Sequence, residues 1–236
     1  MSASVSASGR VSGGAGAGRL RTFWHSAIGK KVVMAGTGLI GIAYVIAHMV
    51  GNLQVFQGAE KINGYAAILH GPLKSAVWAA RAVLLAAVVL HVVAAWQLTQ
   101  LDRAARPVAY ARREPQISTL ASRTMRWGGV LLLVFIVFHI LHFTTGTVQP
   151  APFVAGDVYG NVVGGFRVWW VTLFYVVAMA ALGFHLVHGA WSSARTLGVS
   201  RPTPRPFRRP VAALLAILVA AGFAIVPLAV FFGIVK

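Results

Sequence analysis

A chain of 236 residues that is 58% hydrophobic and only 11% charged cannot keep most of its surface in water, because soluble domains run near 25% charged residues. It has no cysteine, which excludes disulfides, thiolate-held iron–sulfur clusters, cysteine-ligated zinc and covalently attached haem. The formal charge of +17 would suggest nucleic acid in a soluble protein. Here the basic residues fall in short segments between apolar runs, the pattern of membrane orientation, and this argues against a nucleic-acid partner.

Residues 1–25 are rich in Ser, Ala and Gly with scattered arginines. They lack the apolar core of a secretory signal and are predicted to form a disordered cytoplasmic tail, although an organelle transit peptide has a similar composition. Residues 26–236 read as one membrane domain. Five apolar runs are long enough to cross about 30 Å of hydrocarbon at 1.5 Å per residue, near 31–51, 76–100, 127–145, 168–191 and 211–234. Tryptophans 24, 78, 96, 127, 169, 170 and 191 cluster toward their ends, where interfacial belts form. The predicted fold class is an all-α integral membrane protein whose five transmembrane helices form a bundle.

The tail, the second connection and the fourth connection carry sixteen basic residues, against five (Lys61, Lys74, Arg81, Arg167 and Lys236) on the other side. The positive-inside rule then puts the N-terminus in the cytoplasm and, with five spans, the C-terminus outside.

Six of eight histidines lie inside predicted spans, where ionisable side chains are costly and usually functional. His48 falls about 25 Å along the first helix, near the outer side. The second helix runs inward, so His91 falls toward the inner side. His139 lies in the outer half of the third helix and His185 near the inner end of the fourth. Two imidazoles at one depth on facing helices suit a bis-axial haem, so two b haems stacked across the bilayer are expected. His142 and His188 each follow a candidate by three residues and share its face; spacing leaves open which member ligates. Zinc or di-iron sites would need three or four ligands at one depth and carboxylates in the spans.

Gly36, Gly38 and Gly41 spell G-x-G-x-x-G, but no strand precedes them, so close packing of a helix or haem is preferred to a dinucleotide site. Gly128, Gly129, Gly183 and Gly189 are read in the same way. Haem propionates want cations. Arg81 at the outer end of the second helix is the preferred partner, because Arg123, Arg126 and Arg195 are accounted for as inner-side anchors. Glu60, Asn63 and His70, in the outer connection, are candidate quinone contacts.

The order and spacing of several elements resemble the single-chain, five-helix, di-haem cytochrome b membrane anchor of succinate dehydrogenase and fumarate reductase. They are Gly29-Lys30-Lys31, Ala47-His48-Met49-Val50-Gly51-Asn52, Gly58-Ala59-Glu60 with Asn63, Arg81 with His91, Arg123 and Arg126 before Phe138-His139, and Phe184-His185 before His188-Gly189-Ala190-Trp191. The resemblance covers nearly the whole chain after the tail. It implies an outer haem iron held by His48 and His139 and an inner one held by His91 and His185. It favours His185 over His188, four residues before Gly189. It also implies a flavoprotein and an iron–sulfur subunit docked on the cytoplasmic face of the inner membrane, with electrons from succinate passing to menaquinone or another quinone. Some relatives carry a membrane glutamate shortly before the histidine of the fourth helix; Ala180, Ala181, Leu182 and Gly183 fill that stretch here. The competing redox expectation is a di-haem cytochrome b subunit of a hydrogenase, formate dehydrogenase or nitrate reductase.

Overall fold

The computed structural model describes residues 14–105, 120–199 and 208–236. The first 13 residues of the tail, and Arg106, Arg112, Arg113, Arg201 and Arg205, lie outside the described residues. Eight α-helices follow one another: α1 (Gly14–His25), α2 (Ala27–Asn52), α3 (Ala59–His70), α4 (Lys74–Ala104), α5 (Leu120–His139), α6 (Val158–Phe166), α7 (Trp169–Thr196) and α8 (Arg208–Phe231). No strand occurs among the described residues. Among the described residues, five helical stretches are long and apolar enough to cross a membrane: Ala27–Gln57, Lys74–Ala104, Leu120–Thr144, Trp169–Thr196 and Pro210–Phe231. The protein is an all-α, multi-pass membrane bundle, and its apolar outer faces are those of helices solvated by lipid. Trp78, Trp96, Trp127 and Trp169, close to helix ends, are exposed.

The helices extend a few residues beyond most of the predicted spans, because helix can continue into the interface once the hydrocarbon is crossed. α2 starts where the Ser26 hydroxyl accepts from the Gly29 N–H at 2.9 Å, an N-cap. It ends in a 3₁₀ turn (Leu53–Gln57), and Gly58, with φ at +95°, redirects the chain into α3. α5 ends in a π-helical turn (Ile140–Thr144) immediately after His139. Pro227 lies inside α8; membrane bundles tolerate such breaks because neighbouring groups satisfy the freed carbonyl.

The tail departs from expectation. Residues from Gly14 onward form α1 rather than a disordered segment. A glycine-rich start is a poor helix former, so tertiary contact must hold it. Lys30, 6% exposed, donates from Nζ to the Trp24 carbonyl at 2.7 Å. A cation is favourable against the carbonyl end of a helix. A Cβ on Gly29 would collide with the Phe23 carbonyl, so the Gly29-Lys30 pair is explained by α1 folding back on α2.

α7 packs on α8, α5 and α2, while α2 also packs on α4 and α8. α2 and α7 are therefore central, with α4 packed on α2 and α5 on α7. At one end, which also holds the chain terminus at Lys236, α3 and α6 form a cap over the spans. At the other end lie α1, Arg103, Arg126 and Arg195. We refer to these as the capped end and the basic end. A buried cluster including Val55, Ile62, Phe166, Val171, Tyr175 and Val230 fills the capped end. A smaller one, Leu186, Ala216 and Val219, joins α7 to α8 beside α2.

Candidate functional site: two histidine pairs

His48 of α2 and His139 of α5 stand ring to ring, with centroids 5.8 Å apart and planes at 83°. His91 of α4 and His185 of α7 do the same at 6.1 Å and 53°. The first pair lies toward the capped end. The second lies toward the basic end: Tyr175, beside His139, precedes His185 by ten residues of α7, about 15 Å of helix. His142 and His188 do not take part in these ring pairs. His142 is turned into the core by the π-helical turn and is fully buried, while His188 is half-buried beside His185.

The helices that supply each pair, α2 with α5 and α4 with α7, do not pack closely backbone to backbone. The histidines thus reach toward each other across gaps. Two metal–imidazole bonds of about 2 Å each, with the ring radii added, separate the two centroids of a bis-histidine metal by about 6 Å. Both pairs have that spacing. Among the described residues no three or more His, Asp or Glu side chains gather as a metal site, so the donor set consists of two imidazoles per level. That set leaves the equatorial positions of an iron to a macrocycle, and it fits haem better than a naked ion.

The remaining ring nitrogens are largely engaged. Thr37 Oγ1 donates to the Val33 carbonyl at 2.8 Å and lies 3.1 Å from His91 Nδ1. The hydroxyl therefore accepts from Nδ1–H and leaves His91 Nε2 bare, the arrangement a ligand requires. His139 Nδ1 lies 3.1 Å from the Tyr175 hydroxyl. At His48 the Asn52 amide nitrogen is 3.3 Å from Nε2, which leaves Nδ1 as the free nitrogen. Tyr44 stacks on the His48 ring at 5.3 Å, nearly parallel, and Phe223 of α8 closes another side at 5.8 Å. His185 Nδ1 is buried without a partner. A cavity of about 300 Å³ between α5 and α7 borders His185, with Thr124, Gly128, Leu131 and Phe184 in its wall.

The glycines divide. Gly183 packs against Ala220 of α8, and Gly38 is in ordinary contact with the His91 ring. A Cβ added at Gly36, Gly41, Gly128 or Gly189 would meet no atom of another helix within 4 Å, so close helix–helix approach at the Cβ position does not explain them.

Arg81 lies with its guanidinium 5.0 Å from the centre of the Trp78 ring and within electrostatic range of Tyr44, on the Tyr44 side of the His48–His139 pair. Arg126 is paired with Asp102 at 3.5 Å, and Arg195 is exposed at the end of α7.

The three quinone candidates do not converge. Asn63 donates to Asp157 Oδ1 at 3.0 Å and accepts from the Tyr159 N–H at 2.9 Å. Its amide therefore ties α3 to α6 and has a structural role. Glu60 and His70 are exposed at opposite ends of α3, about 15 Å apart, and His70 Nδ1 is engaged by the Ala66 carbonyl at 2.9 Å.

Tyr175, Thr37 and Tyr44 were not singled out from the sequence, and Asn52 was named there only as part of the element around His48. A tyrosine and a threonine in the middle of apolar spans are polar groups that must find partners there, and that signal could have found the first two. The chain matches no family model, no curated protein and no solved structure.

Proposed function

We propose that this protein is the membrane-anchor cytochrome b subunit of a succinate:quinone oxidoreductase, carrying electrons from an iron–sulfur subunit through two b haems to a quinone, menaquinone in the first instance. The observation that carries this is the pair of two-imidazole sites at two depths, each spanning helices that leave a gap. His48 with His139, and His91 with His185, would each hold one iron through two axial nitrogens. Haem supplies one-electron chemistry that the chain's own side chains cannot. The residues hold the rings in fixed orientation and keep water from the spans. Thr37 holds the proton on His91 Nδ1, and Arg81 stands where a propionate near the His48–His139 level would need a cation.

In this reading the basic end faces the cytoplasm of a cell whose inner membrane the chain crosses, with flavoprotein and iron–sulfur subunits docked there. The quinone would bind near the capped end, with Glu60 and His70 as its remaining candidates. The alternative partner complex, a hydrogenase, formate dehydrogenase or nitrate reductase, would use the same two haems.

The test is haem content. The purified chain should carry two b haems, and His91→Ala or His139→Ala should each remove one, read from reduced-minus-oxidised absorption. A colourless chain ends the proposal. Reduction of the haem by succinate in native membranes separates the preferred complex from the alternatives.

A further inference from the structure

The Tyr175 hydroxyl lies between two histidines of the same segment, 3.1 Å from His139 Nδ1 and 2.9 Å from His142 Nδ1. One hydroxyl has one proton. It can donate to only one of the two rings and must accept from the other. If His139 is to present a bare Nε2 to a metal, its proton sits on Nδ1. The sequence of donors is then determined. His139 Nδ1–H donates to Tyr175 Oη, and Tyr175 O–H donates to His142 Nδ1. A neutral His142 must therefore carry its proton on Nε2. That atom is buried with no hydrogen-bond partner, as is Gln149 Oε1, and both atoms face Gly165 of α6. Gln149 Nε2 in turn donates to the Asn161 carbonyl at 2.7 Å.

Two further features hold this chain in place. A Cβ on Gly165 would lie 2.8 Å from His142 Nε2 and 3.2 Å from Gln149 Oε1, so the glycine of α6 makes the room in which these atoms meet. The Tyr175 ring is packed edge to face against Phe135 at 5.0 Å and Phe166 at 4.8 Å, which fixes where its hydroxyl points. A fully buried histidine whose proton position follows from Tyr175 and, through it, from His139 is more than packing.

We infer that Tyr175 and His142 are positioning residues for His139: they hold its proton on Nδ1, so that Nε2 is always available as an iron ligand and the ring cannot turn. The inference rests on the haem reading given above. The hydroxyl accepting from Nδ1–H raises the ligand's basicity, which favours the oxidised metal.

The experiment uses the full chain with its bound haem in detergent, comparing Tyr175→Phe, His142→Leu and His142→Asn. Tyr175→Phe keeps the packed ring and removes the hydroxyl. It should raise the midpoint potential of one haem and weaken retention of that haem roughly 10–100-fold against a haem scavenger, leaving the other haem unmoved. His142→Leu should push the same haem in the same direction, and His142→Asn, which keeps an acceptor near the Nδ1 position, should restore it. If neither potential nor retention moves in Tyr175→Phe and His142→Leu, the inference is overturned while the haem reading stands. If the wild-type chain holds no haem, the haem reading fails, and imidazole nitrogen resonances decide the positioning. The inference then requires His139 as the Nδ1–H tautomer in the wild type and a mixture in Tyr175→Phe. A mixture already present in the wild type overturns it.

Discussion

The capped and basic ends differ in how their described residues meet the polar groups at a membrane boundary. At the capped end the chain satisfies its own groups. Asn63 bridges α3 to Asp157 and Tyr159. Asn161 closes the preceding loop by exchanging two hydrogen bonds with Val154, at 2.7 and 2.9 Å, and the Tyr159 hydroxyl donates to the carbonyl of Lys236 at 3.0 Å. Beneath them lies the larger apolar cluster. At the basic end the described interactions include one ion pair, Asp102 with Arg126, whose side chains are 60% and 55% exposed. The difference teaches that the His48–His139 level sits in a rigid, self-contained matrix. The His91–His185 level borders a cavity of about 300 Å³ between α5 and α7.

The largest effect on this comparison should come from loosening the rigid end. Gly165→Ala puts a methyl group against His142 Nε2 and Gln149 Oε1, both buried. Overpacking of this kind destabilises by about 1–3 kcal/mol. Unfolding of the purified chain in mixed micelles should shift by that amount. Gly128→Ala, where an added Cβ would meet nothing within 4 Å, should shift unfolding of the haem-free chain far less. Equal shifts would mean that the two ends do not differ in packing as described.

Much of this architecture was legible in the sequence, and the reasons are physical. The five spans are read from long apolar runs because lipid demands them, and each observed span overlaps its expected stretch to within three residues at the ends that fall short. Depth arithmetic works because rise per residue is fixed, so His48 could be matched in level with His139 before any coordinates existed. What the sequence could not supply is rotation about the helix axis. His139 and His142 share a face in an ideal α-helix and both meet the Tyr175 hydroxyl, but only His139 stands against the His48 ring. Asn63 looked like a free polar loop residue because its partners, Asp157 and Tyr159, are more than ninety positions away. α1 was hidden for a similar reason, since its glycine-rich start gives no local signal and Lys30 holds it from the next helix.

The cap offers a second, smaller handle, sensitive to pH. The Gly160 N–H and the Asn63 amide hold the Asp157 carboxyl below its ordinary range. A carboxylate with a lowered folded-state pKa contributes stability that is complete above its unfolded value, near 4. That contribution is lost as pH falls through the lowered folded value. Asp157→Ala should cost about 1 kcal/mol as the N-cap of α6 is lost. The penalty should shrink when the wild type is itself acidified below pH 4. Protease access to the segment between α5 and α6 reads the same event locally. A penalty that is unchanged at pH 3 would show that the carboxylate's charge is irrelevant to the cap.

The smallest effect should be found where the chain shows an exposed ion pair. Arg126→Ala removes the partner of Asp102, but both groups are more than half exposed and 3.5 Å apart. Pairs of this kind are worth roughly 0–1 kcal/mol. Salt should erase even that, since exposed charges are screened within about 10 Å at 0.1 M. Unfolding of Arg126→Ala should therefore coincide with the wild type at high ionic strength and differ by less than 1 kcal/mol at low ionic strength. A larger penalty, or one that persists in salt, would show that the basic end is packed as tightly as the cap. The contrast between the two ends would then be one of charge alone.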